Sequence, residues 1–162
     1  MSVLGLLVDT ATHGAVEGGG IQATPEAWEH ALGSDFIDDR TKKRFRCDYG
    51  LVELGFWRVD RKWRCGSLAL QVHRLWYGAD AIGPASLKAR YGVFPLAVSF
   101  ADLRPRLTEL TRIADSDINK YERFYVPRSK VTIMVMTSSG DGHPPGSVWA
   151  LHLTDEPDLR PR

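Results

Sequence analysis

Residues 44–59, Arg44-Phe45-Arg46-Cys47-Asp48-Tyr49-Gly50-Leu51-Val52-Glu53-Leu54-Gly55-Phe56-Trp57-Arg58-Val59, decide how this chain folds. Arg44 to Asp48 and Leu51 to Val59 read as two strands separated by a short turn. Val52, Leu54 and Phe56 share one face of the second, because side chains alternate sides along a strand. Asp60-Arg61-Lys62 is a polar turn. Leu68 to Trp76 reads as a third strand, with Leu68, Leu70 and Val72 alternating against Ala69, Gln71 and His73. Three strands joined this closely make an antiparallel meander.

Working outward, Thr24-Pro25-Glu26 is a helix start: a capping threonine, proline at the first helical position, an acid in the first turn. Ala27, Trp28, Ala31 and Leu32 recur at helical spacing and Gly33 ends the helix. The apolar run Val3 to Val8 reads as a first strand or a loosely held start. It lacks a basic leader and a small-residue cleavage site, and is too short to cross a bilayer. Downstream, 77–98 carries Gly78, Gly83, Pro84, Gly92 and Pro95 and reads as an irregular linker. Ser99 can cap a second helix over Phe100 to Ile113, with Leu103, Leu107 and Leu110 as its apolar face. Strands at Glu122–Val126, Lys130–Thr137 and Ser147–Leu153 follow, and 155–162 reads as a frayed tail.

The two halves repeat. Gly66-Ser67-Leu68 recurs 80 positions later as Gly146-Ser147-Val148. The same shift lays Pro25 on Pro105, Phe45 on Tyr125, Leu51 on Val131, Leu54 on Met134 and Phe56 on Met136. The expectation is an α+β fold of two tandem helix-plus-meander units, 1–80 and 81–162. They would form one antiparallel sheet with both helices on one face. The opposite face is then free to meet water or a partner.

Composition removes several function classes. A net charge of +1 gives no global field for nucleic acid, although Arg40, Lys42, Lys43, Arg44 and Arg46 form a local basic run. Cys47 and Cys65 make neither a disulfide framework nor a four-ligand zinc site. They read as small apolar fillers of a reducing, cytoplasmic compartment, with an opportunistic bridge conceivable on neighbouring strands. None of the five histidines is paired at metal-ligand spacing. Gly18-Gly19-Gly20 lacks the residues of a phosphate loop, and no serine or cysteine stands in a nucleophile motif. Asp48 and Glu53, five residues apart, would point to opposite faces of one regular strand and share no site. No segment reads as an enzyme active site and no cofactor or metal is implied.

A short helix ended by glycine and followed by a three-stranded meander, present twice, resembles the β-lactamase inhibitor protein and its relatives. Single units of that kind are also similar to the outer-membrane lipoprotein of the β-barrel assembly machinery. The string Asp48-Tyr49-Gly50-Leu51-Val52-Glu53, with Phe56 after it and Gln71-Val72-His73-Arg74-Leu75 later, resembles small actinobacterial proteins similar to immunity proteins. These resemblances imply a binding protein whose target is another protein, such as a toxin, blocked sterically. The residues expected at the interface are Glu53, Trp57, Trp63, Gln71, His73 and Arg74, since Trp, Tyr and Arg anchor interfaces. Two alternatives stay open: a nucleic-acid or small-ligand module using the basic run, and an enzyme built on His73 and Glu53.

Overall fold

A computed structural model describes residues 2–78, 82–113, 120–140 and 142–155. The chain begins with a helix, α1 (Val3–His13), where a strand or a loosely held start was expected. The Ser2 side chain caps its N-terminus, and Gly14 closes it at φ 65°, in the left-handed region. Val3, Leu6, Leu7, Thr10 and Ala11 are buried along one stripe, which is why the run coils rather than extends. A two-residue hairpin, β1 (Ala15–Val16) with β2 (Gly19–Gly20), leads to α2 (Pro25–Leu32), capped by Thr24 as its sequence predicts.

Eight antiparallel strands then form one sheet: β3 (Ile37–Arg40), β4 (Arg44–Asp48), β5 (Val52–Val59), β6 (Lys62–Leu70), β7 (Thr111–Arg112), β8 (Tyr121–Val126), β9 (Val131–Met136) and β10 (Val148–Thr154). Their spatial order is β3-β4-β5-β6-β10-β9-β8-β7. Each half runs outside to centre, and β6 and β10 meet in the middle with Leu70 opposite Leu151 and Leu68 opposite Leu153. The sheet is mixed with helices in an α+β fold, as expected, but several boundaries differ.

The third strand of the first half is Lys62–Leu70. A 3-10 helix, Val72–Tyr77, takes the place of its expected end. The alternation of Val72 against Gln71 and His73 is real, but Val72 and Leu75 bury at a three-residue spacing instead. The linker holds a helix, α3 (Ala85–Tyr91), with Leu87 and Tyr91 buried. The helix expected over Phe100 to Ile113 shortens to α4 (Phe100–Leu103) plus one 3-10 turn, Arg104–Arg106, because Pro105 stops it. The edge strands β3 and β7 had no legible pattern. Most of the expected tail lies outside the described residues.

The helices share one core with one face of the sheet. Trp28 of α2 and Leu6 and Leu7 of α1 are buried, as are Leu54, Phe56, Leu68 and Ile133 of the strands. Phe100 of α4 stacks against Phe124 of β8 at 4.5 Å.

Strand register corrects the repeat. A shift of 80 puts Phe45, a core residue, on Tyr125, and Leu54, also core, on Met134; both Tyr125 and Met134 face the other way. A slip of one residue moves every side chain across the sheet. A shift of 79 restores the faces: Phe45 to Phe124, Cys47 to Val126, Val52 to Val131, Leu54 to Ile133. The central strands need 83, laying Leu68 on Leu151 and Leu70 on Leu153, since the turn before β10 is longer. At that shift the bulges coincide. Gly66 is the extra residue between the pairs Gly55–Ser67 and Phe56–Cys65. Trp149 is the extra residue between Val148–Val135 and Ala150–Met134.

Candidate functional site

The face of the sheet away from the helices carries a continuous lateral row. Paired residues run from strand to strand as Ile37, Asp48, Glu53, Ala69, His152, Thr132, Tyr125 and Thr111. Glu53, His152, Thr132 and Tyr125 are half-buried and Ala69 is covered, so the row is a shallow floor.

On its β4–β5 side stands a network of charges. Asp48 and Glu53 sit directly opposite each other across the hairpin, because the turn at Tyr49–Leu51 folds two strands onto one face. The expectation that they diverge assumed one unbroken strand and is overturned. Arg46 Nη2 donates to Asp48 Oδ2 at 2.9 Å and to Glu53 Oε2 at 2.8 Å. Arg74, reaching back from the 3-10 helix, donates to Asp48 Oδ1 at 2.9 Å, Glu53 Oε2 at 2.9 Å and the Gly50 carbonyl at 2.8 Å. Gln71 Nε2 adds a long bond to Glu53 at 3.4 Å. The hydrogen bond from Arg46 holds the Glu53 carboxyl below the usual carboxylate range, against the effect of partial burial. A carboxylate fixed by two guanidinium groups is a poor proton carrier and a well-placed recognition element.

At the other side lies an aromatic cluster. His73 stacks on the Trp149 indole with centroids 4.1 Å apart and planes within 5°. His73 Nδ1 lies 3.2 Å from the Trp149 carbonyl oxygen. His143, buried, places Nε2 2.9 Å from the His73 carbonyl oxygen and packs against Trp76 and Trp149. Tyr121 meets Trp149 at 5.3 Å. Burial pushes the His73 and His152 imidazoles below their ordinary range. His73 belongs to the 3-10 helix, whereas His152 lies on β10.

Trp57 lies over the β6 bulge. A Cβ on Gly55 or Gly66 would run into its ring, so these glycines let the indole lie flat on the sheet, with the Arg44 guanidinium 5.2 Å from its centroid. Trp63 does not accompany it. Trp57 pairs with Arg64 and Trp63 with Arg58, so the two indoles sit on opposite faces, and Trp63 packs against Phe45 at the core. Of the six residues expected at an interface, Glu53, Gln71 and Arg74 are hydrogen-bonded together. Trp57 joins them on the same face, His73 flanks its far end, and Trp63 falls away. Tyr121, Tyr125, Met134 and Trp149 were missed on this face; the one-residue register error hid Tyr125 and Met134, and Tyr121 lay just before the expected strand.

The basic run does not form a patch. Arg44 and Arg46 lie on the open face, while Arg40 stacks over Phe45 and Trp63 at 4.2 and 5.9 Å on the other. Cys47 and Cys65 are not neighbours either: β5 separates their strands. Both thiols are free and buried, and burial pushes each up to about 12. Among the described residues no group of three histidine, cysteine or acidic side chains could hold a metal, and no helix is long and apolar enough to cross a membrane.

No protein-family model matches this chain, and no curated protein matches it. The crystal structure of a DUF4309 family protein (YjgB) from Bacillus subtilis is similar over 93% of this chain and 94% of that one, at 14% identity and a TM-score of 0.37.

Proposed function

We propose that this chain is a protein-binding module that docks a partner protein on the open face of its sheet. The reading extends to steric inhibition: an immunity-type protein that covers the working surface of a cognate toxin. The observation that carries it is the composition of that face. Trp57, Trp149, Tyr121, Tyr125 and Met134 stand half-buried beside paired arginines, and these are the residue types concentrated at interface centres.

Two further features favour a partner over a small substrate. The face is wide and shallow, whereas enzyme sites converge on a cleft. Among the described residues its charge is also biased: Arg44, Arg46, Lys62, Arg64, Arg74 and Arg123 share it with Asp39, Asp48, Glu53 and Asp155, in a chain whose net charge is +1. The partner surface is therefore acidic. The matching bulges at Gly66 and Trp149 favour an origin by duplication of one helix-plus-meander unit. Each half brings one indole over its bulge, Trp57 in the first and Trp149 itself in the second.

Affinity capture with the tagged protein from cells that also express the neighbouring genes tests the reading. A stoichiometric protein is expected, lost on Met134→Asp or Trp57→Ala and kept on Trp63→Ala. Capture that is indifferent to Met134 and Trp57 removes the open face from consideration.

A further inference from the structure

We infer that the cleft beside Trp57 is the anchor pocket of this face, built to seat one aromatic side chain of the partner with a carboxylate next to it. The inference rests on the docking reading above and gives it a chemical class. The cleft lies where β10 ends and residues 22 and 23 take its place along β6: Asp155 N–H donates to the Gly66 carbonyl, Gln22 N–H to the Cys65 carbonyl, and Cys65 N–H to the Ala23 carbonyl. Its floor is the Cys65–Gly66 bulge. Trp57 and Val59 form one wall, and Gln22, hydrogen-bonded to Asp155 at 2.7 Å, the other. Arg64 stands at the rim.

Size, lining and charge agree. The volume is about 260 Å³, below the roughly 300–1,000 Å³ of small-molecule sites. It therefore holds one large side chain rather than a metabolite. On the far wall Gln22 Nε2 donates to Asp155 Oδ2, and the Trp57 ring and the bulge backbone offer apolar and stacking contact. Arg64 has no ion-pair partner among the described residues, and Arg44 lies over the Trp57 ring. A carboxylate beside the seated ring would complete a charge-assisted bond to Arg64. The glycine at the bulge is what opens the cleft, since any side chain at Gly66 would push Trp57 off the sheet.

The test uses phenylacetate, a ring with an attached carboxylate, titrated into the isotope-labelled full chain by NMR. Saturable shifts centred on the Gly66 amide and Trp57 indole N–H are expected, with an affinity on the order of millimolar. Arg64→Ala should weaken phenylacetate roughly tenfold and leave benzyl alcohol, the uncharged ring, unchanged. Absence of saturation in the millimolar range, or equal weakening of both probes, overturns the inference. So does a spectrum of the unliganded chain that changes at Gly66 and Trp57 when residues 156–162 are removed, because the chain itself would then fill the cleft. If a partner is captured through the open face while phenylacetate does not bind, the cleft inference alone fails. If phenylacetate binds and no partner is captured, the docking reading fails instead.

Discussion

Arg74 is the residue through which the 3-10 helix is tied to the β4–β5 hairpin. It bonds Asp48, Glu53 and the Gly50 carbonyl at once, and its side chain is 28% exposed. Arg74→Ala leaves two carboxylates facing each other with one guanidinium between them, and should cost about 1–2 kcal/mol. Arg46, at 41% exposure, is better hydrated, and Arg46→Ala should cost about half as much. Urea unfolding of both variants checks the order. The titrating groups set a pH dependence of one sign. Below the ordinary histidine value of 6.5, the unfolded chain takes up protons that buried His73 and His152 resist. Below about 4.5 it does so again at the carboxyl corresponding to Glu53. The unfolded state binds more protons in both windows, so stability is lost as pH falls through each. Unfolding midpoints should drop in two steps, with His152→Gln shrinking the upper one and Glu53→Gln the lower. A midpoint that rises on acidification through either window contradicts the assignment. The place of Glu53 on the free face was legible from its alternation with Val52 and Leu54. Its alliance with Asp48 was not, because separation along the chain does not reveal which turn brings two residues face to face.

Among the elements, the central strands are the most informative. Both carry a bulge at the same point, and the two halves divide large and small residues differently there: glycine under a tryptophan in β6, tryptophan at the bulge of β10. Gly66→Ala should tilt Trp57 away from the sheet and cost about 1–3 kcal/mol by overpacking. A changed Trp57 fluorescence spectrum together with a lowered urea midpoint is the expected readout; an unchanged spectrum means the ring does not rest on the bulge. The meander, its core face and the α2 cap could be read from alternation and turn chemistry. The edge strand β3 could not, because Ile37-Asp38-Asp39-Arg40 is exposed throughout. Two acids and an arginine on an unpaired edge discourage further strands from adding to it. The helical fate of Val3–His13 was lost because a short apolar run has no period of its own; only the buried stripe against the sheet decides it.

For the whole molecule, one face of an eight-stranded sheet is covered by helices and the other presents aromatic and basic side chains on a shallow floor. Alternation predicted that such a free face would exist. Its composition required the register, since a one-residue slip exchanges Tyr125 and Met134 for their buried neighbours. The most direct test places a photo-reactive amino acid at Thr132, in the middle of the open face, and separately at Glu26, exposed on α2. Both proteins are irradiated in cells that express the neighbouring genes. A single discrete adduct from Thr132 and none from Glu26 is the predicted result. An adduct from Glu26 alone, or none from either while both proteins remain folded, contradicts docking on the open face.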